Sequence, residues 1–224
     1  MRLSLLDCLA LVVALSLLGV SLVSCAPGGP VDRSLLTGDP CEPPCWQGLV
    51  PGVSTVQEVE GVLAGSEYVK QDSVERERWG GFSTIWWEST ASWASGSGRN
   101  AAVMKGDMLQ VLMICLDYEL VLEDIVERYG TLEKLWVTWT SLGGVEVAVR
   151  LYYPHEGLIF ALVLQPSNGY HELEPGSRVT VVRYFAPTSL EGLIRLGESI
   201  PFPPREYVET DLDDWSGYGP IKVD

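Results

Sequence analysis

Residues 145–165 constrain the fold more tightly than any other stretch. Val145, Val147, Val149, Leu151 and Tyr153 alternate with Glu146, Ala148, Arg150 and Tyr152, the period-two pattern of a strand with two different faces. Pro154-His-Glu-Gly157 then turns the chain into a second apolar run, LIFALVLQ at 158–165, which ends at Pro166-Ser-Asn-Gly169. Strands joined by so short a turn run antiparallel. Lys105-Gly-Asp-Met108 joins AAVMK to MLQVLMICL in the same way. Further strands are expected at 68–74, 82–89, 133–140 and 177–185. Glycine (23 residues) and proline (14) punctuate these short runs, a pattern that argues against a long-helix bundle or a coiled coil.

Three segments break the alternation with a helix signature. Thr55-Val-Gln-Glu58 precedes VEGVLAG, Val121-Leu-Glu-Asp124 precedes IVERYG, and Thr188-Ser-Leu-Glu191 precedes GLIRLG. Each sets an acidic residue three positions after the expected N-cap, then an apolar stripe, then a glycine stop at Gly65, Gly130 or Gly197. The first and third read as capping boxes. The second has Val121 where a hydroxyl belongs, so its helix start is the weaker. The starts are 66 and 67 residues apart, which points to a tandem repeat of helix then antiparallel strands, followed by a closing helix. The expected fold class is therefore α+β: antiparallel sheet with short helices.

Leu49-Val-Pro-Gly52-Val-Ser-Thr55, followed by Glu58-Val59 and Leu63-Ala-Gly65, resembles the start of the SmpA/OmlA-type lipoprotein domain. It is also similar to the tandem module of β-lactamase inhibitor protein. Those modules begin with glycine, a small apolar residue, a hydroxyl cap, an acidic-Val pair and Leu-Gly. This chain carries an extra residue between Gly52 and the cap and another before Gly65. The resemblance spans about 17 residues at the first helix, with a weaker echo at the second. It implies a binding or assembly role and no catalytic residues.

The N-terminus reads as an address. Arg2 gives a positive start, residues 8–24 carry no charge, and 9–23 (LALVVALSLLGVSLV) form an apolar h-region. Leu22-Val23-Ser24-Cys25 resembles the lipobox of bacterial lipoproteins, which implies lipidation of Cys25 as the mature N-terminus. An uncleaved anchor and an ordinary secretory signal are the alternatives. Removal of 1–24 takes away Arg2 and Asp7 together and leaves the net charge at −15. That balance argues against nucleic acid, whose phosphates need a basic surface, and against charge-driven docking on anionic lipid. Membrane affinity would come from the acyl chains.

The expected organisation is a signal peptide at 1–24, a lipidated flexible tether at 25–44, a first helix-plus-strands unit at 45–119, a second unit with the closing helix at 120–199, and an irregular acidic tail at 200–224. Outside the cytoplasm disulfides persist. Cys41-Glu-Pro-Pro-Cys45 is expected to close a local staple, stabilising by about 2 kcal/mol on a chain-entropy estimate. Cys115, inside an apolar run, is expected to be a buried thiol, with a bridge to Cys41 or Cys45 as the alternative.

Chemistry is harder to find. No GxSxG, HExxH, P-loop or GxGxxG occurs, and Gly96-Ser97-Gly98 lacks a strand-turn-helix context. The two histidines both stand in His-Glu pairs, His155-Glu156 and His171-Glu172, but at opposite ends of an expected strand, too far apart for one metal site. Glu206, Glu209, Asp211, Asp213 and Asp214 lack the glycine and terminal glutamate of an EF-hand loop and read as a solvated charge run. The expectation is no metal, no cofactor and no catalytic residue. Tryptophan is the informative residue. Trp86 and Trp87 are adjacent in an expected strand and must point to opposite faces; Trp136 and Trp139 do likewise in theirs. Two-sided burial between helix and sheet layers is one outcome. Alternatively, tryptophans on an open sheet face seat a partner. The resulting expectation is a lipid-anchored, extracytoplasmic, non-catalytic interaction module of the bacterial cell envelope. Its partner would be an envelope protein or glycan, with Trp86, Trp87, Trp136 and Trp139 as candidate contacts. A tryptophan-using ligand binder and a carboxylate-dependent hydrolase are the rivals.

Overall fold

The period-two stretches become strands of one antiparallel sheet. A computed structural model describes residues 29–91, 98–132, 134–139, 146–166, 171–199 and 212–221. The helices are α1 (Ser34–Thr37), α2 (Val56–Gly65), α3 (Leu122–Tyr129) and α4 (Leu190–Ser199), with a 3-10 turn at Gln71–Ser73. The strands are β1 (Glu75–Trp79), β2 (Phe82–Trp87), β3 (Asn100–Lys105), β4 (Met108–Cys115), β5 (Lys134–Trp139), β6 (Val147–Tyr153), β7 (Leu158–Leu164), β8 (Glu172–Leu173), β9 (Val179–Phe185), β10 (Asp213–Asp214) and β11 (Gly219–Pro220). Nine of them form one sheet in the order β1-β2-β3-β4-β9-β7-β6-β5-β10, while β8 and β11 pair separately. The protein is α+β, as its patterning requires.

Two meanders build this sheet from opposite edges. β1 to β4 run inward in chain order; β5, β6, β7 and β9 run inward from the other side. They meet where β4 pairs with β9, from Val111↔Phe185 to Cys115↔Val181. Ahead of each meander stands a helix whose N-cap pairs with the start of the meander's last strand: Thr55 with Met108, and Val121 with Arg178. The Leu109 amide donates to Ser54 O and the Val56 amide to Asp107 O. The Val179 amide donates to Leu120 O and the Leu122 amide to Ser177 O in the same positions relative to their helix.

Helix ends follow from local chemistry. Thr55 Oγ1 accepts from the Glu58 amide (3.3 Å) and Glu58 returns a carboxylate to the Thr55 amide (2.7 Å), a complete capping box. Valine has no side-chain acceptor, so at α3 only the reverse half forms, with Asp124 Oδ2 accepting from the Val121 amide at 3.1 Å. Gly130 ends α3 at φ 80°, a conformation open to glycine. The third helix departs from expectation by one residue. Ser189, not Thr188, accepts from the Gly192 amide, and α4 continues past Gly197 to Ser199.

The main core lies between the sheet and its helices. Val59 and Leu63 of α2 and Leu122 and Ile125 of α3 pack on Ile85, Trp87, Met104, Leu112, Val149, Leu151, Phe160 and Leu162. A smaller cluster lies on the outward face, where Leu193 of α4 joins Val103, Val111, Trp136, Tyr152, Ile159 and Phe185, with Leu196 and Leu212 packed against it.

Two expectations need correcting. Strand pairing in the 68–74 region reduces to a single bridge, Val69↔Ser89; the edge strand instead starts at Glu75. Its sequence, ERERW, is exposed at every position, so no apolar alternation announced it. Residues 29–44, read as a free tether, are packed: Leu35 is buried in the main core and the Gly29 amide donates to Thr90 O. Arg128 of α3 clamps this segment by donating to Leu36 O and pairing with Glu42 at 2.8 Å. Glu42 sits in the loop closed by the Cys41–Cys45 disulfide. The tail is also partly ordered by contact, since β10 pairs with β5 and Trp215 packs against the main core.

Candidate functional site

Register fixes where each tryptophan points. Trp87 is 1% exposed and stacks on Trp46 inside the main core, with ring centroids 5.7 Å apart. Trp86 turns to the outward face, half-buried, donating Nε1 to Glu77 Oε2 at 3.1 Å beneath the Arg99 guanidinium. Trp136 also points outward but lies buried in the outward cluster, with the Arg150 guanidinium 4.3 Å from its ring centre. The Trp139 backbone pairs with Val147; its side chain lies outside the described residues. Of the three placed candidates, only Trp86 offers ring surface to a partner, because core packing consumes Trp87 and Trp136 is buried in the outward cluster.

Among the described residues, the tryptophan that is bare was not among the candidates. Trp79 is 72% exposed at the β1–β2 turn. Its signal was the two-residue loop Gly80-Gly81, a hairpin mark, with Gly80 at φ 57°. Paired residues of antiparallel strands share a face, so the pairs Trp79↔Phe82, Phe82↔Lys105 and Lys105↔Met108 form one row across four strands of the outward face. Met108 is also exposed, and Thr55 pairs with it from the loop that presents Val53 at 67% exposure. Trp79, Phe82, Met108 and Val53 thus form an apolar rim about 14–19 Å long at strand spacing. The Lys105 ammonium lies 5.8 Å from the Phe82 ring centre within it.

At the other end of β2 a narrow cleft, partly open to solvent and with room for about one water, separates the N-terminal segment from the sheet. Asp32, Trp46, Tyr68, Trp87, Ser89, Asn100, Cys115 and Asp117 contribute to its walls. Asp32 accepts from the Trp46 indole, from Gln47 Nε2 (3.2 Å) and from the Ser34 amide (2.9 Å), which pins the segment down. Asn100 is committed on both sides, donating to Ser89 Oγ (3.1 Å) and accepting from the Cys115 amide (2.8 Å). Burial raises the Asp117 carboxyl above the usual aspartate range; a bond from Ser89 opposes this and the Asp32 charge adds to it. Burial pushes the free Cys115 thiol up to about 11, so it stays protonated at neutral pH. The cleft's polar groups chiefly satisfy one another.

His155 is exposed in the β6–β7 turn, whereas His171 is buried beside β8 and accepts the Ile221 amide at its carbonyl. Among the described residues no three His, Cys, Asp or Glu side chains are grouped to hold a metal ion. Cys25, the apolar run 9–23 and Glu206, Glu209 and Asp211 lie outside the described residues; Asp213 and Asp214 are exposed, the latter paired with Lys134. Compared with known proteins, the chain matches no family model, no curated protein and no solved structure.

Proposed function

We propose that this chain is a lipid-anchored, extracytoplasmic module of the bacterial cell envelope that holds a protein partner and performs no chemistry. The observation that carries the reading is the apolar rim of Trp79, Phe82, Met108 and Val53. A tryptophan 72% exposed on an edge hairpin supplies large contact area at low entropic cost, as interface centres require. Trp86 extends the surface along β2.

Two further features support it. The matching helix-to-strand hydrogen bonds around Thr55 and Val121 favour a tandem repeat, the arrangement implied by the resemblance to the tandem module of β-lactamase inhibitor protein. Gly29 is bonded to Thr90, beyond the Trp87 end of β2, and lies four residues after Cys25. Four residues reach about 14 Å at most. A lipid on Cys25 therefore holds the sheet close to the bilayer by the Trp87 end and leaves the Trp79 rim at the far end.

Photo-reactive benzoylphenylalanine in place of Trp79, in intact cells, tests the reading. A discrete adduct with an envelope protein is expected, together with release from membranes or stalled processing on Cys25→Ala. An adduct with glycan, or none at all, would overturn it.

A further inference from the structure

From the charge within the rim we infer the kind of partner segment it takes: an amphipathic helix that sets a carboxylate among apolar side chains. This rests on the rim being the docking surface. The chain has 30 acidic and 15 basic residues, and apart from Arg78, on the opposite face of β1, several cations on or beside the sheet find partners: Lys70 pairs with Glu88, Arg76 with Glu60, Arg99 with Glu75 and Lys134 with Asp214. Lys105 does not. Its described contact is with the Phe82 ring, and it makes no ion pair among the described residues. Asp107, two residues on in the same turn, leaves it unpaired. Glu77, on the same face one pair further in, instead accepts the Trp86 indole. An exposed cation held between Phe82 and Met108 is complementary to an incoming carboxylate, and its desolvation on docking would be costly without one.

Spacing selects the helix. Across the row, Trp79, Phe82, Lys105 and Met108 stand one strand apart, at about 0, 5, 10 and 14 Å. A helix rises about 1.5 Å per residue, so positions i, i+3, i+7 and i+10 fall at about 0, 4.5, 10.5 and 15 Å along one face. Apolar residues at i, i+3 and i+10 meet Trp79, Phe82 and Met108, and an acidic residue at i+7 meets Lys105.

Two synthetic 18-residue amphipathic helices test this, with leucine at i, i+3 and i+10 and either glutamate or lysine at i+7. Isothermal titration into the full-length protein purified in detergent should show the glutamate peptide binding about ten-fold more tightly, and Lys105→Glu should reverse the preference. Equal affinities, no binding of either peptide, or an unchanged preference in Lys105→Glu would overturn the inference. The cellular adduct at position 79 is read separately. An adduct with a protein but no charge preference removes the acidic helix and keeps the module; the loss of that adduct removes the module itself.

Discussion

The two halves of the sheet share a plan and differ in what covers their outward face. In the second half Leu193 of α4, which follows β9, joins Trp136, Tyr152 and Ile159 in a buried outward cluster, with Leu196 and Leu212 packed against it. Over the outer strands of the first half nothing comparable is described. Trp79 is bare and Trp86 half-covered on the same face of the same sheet. Their helix-side faces are alike, each packed against one two-turn to three-turn helix. A single scaffold thus uses its second half for stability and leaves the edge of its first half available for contact.

The largest effect should separate the two outward tryptophans. Trp136→Ala removes a buried ring and is expected to cost about 3–5 kcal/mol of unfolding free energy in urea titration. Trp79→Ala removes an exposed one and should stay within about 0.5 kcal/mol of the parent. Similar losses from both would mean that the first half is covered after all.

A smaller contrast lies at the helix starts. Thr55→Ala breaks a complete capping box and should destabilise by about 1 kcal/mol, whereas Val121→Thr adds the missing acceptor and should stabilise by a comparable or smaller amount. If Val121→Thr destabilises, its methyl groups matter more in packing than the absent hydroxyl does in capping.

The smallest effect concerns Asp117, whose carboxyl protonates more readily folded than unfolded. Its stabilising contribution is full below the ordinary aspartate value and is lost as pH rises through the raised folded value. Asp117→Asn should therefore raise the melting temperature slightly at pH 7 and flatten its rise on mild acidification. A variant that melts lower at pH 7 with the same pH slope would show that the Ser89 bond to the carboxylate outweighs its burial.

Much of this contrast was hidden in the sequence, for identifiable reasons. β6 and β7 were legible because burial on the helix side forces Val147, Val149 and Leu151 into alternation. The α2 start was legible because capping is local chemistry. β1 was not, since an edge strand exposed on both faces carries charge where a central strand carries valine. The same alternation protects the edge. Two-fold pairing of β1 with its own copy, centred on Glu77, sets Arg76 against Arg78 and glutamate against glutamate. The packing of residues 29–44 was hidden because Leu35 and the Asp32–Trp46 bond stand alone among Pro and Gly. Adjacency showed that Trp86 and Trp87 diverge, but not which face is open. That depends on α4, whose apolar stripe requires a surface without saying which one.

The most direct measurement places a photo-reactive side chain at Val53, at the other end of the rim, and compares the adduct formed in cells with and without Trp79→Ala. The account predicts a protein adduct that falls about thirty-fold or more when Trp79 is removed, with the far-UV spectrum and melting temperature unchanged. An adduct from position 53 that persists at full yield in Trp79→Ala would contradict it.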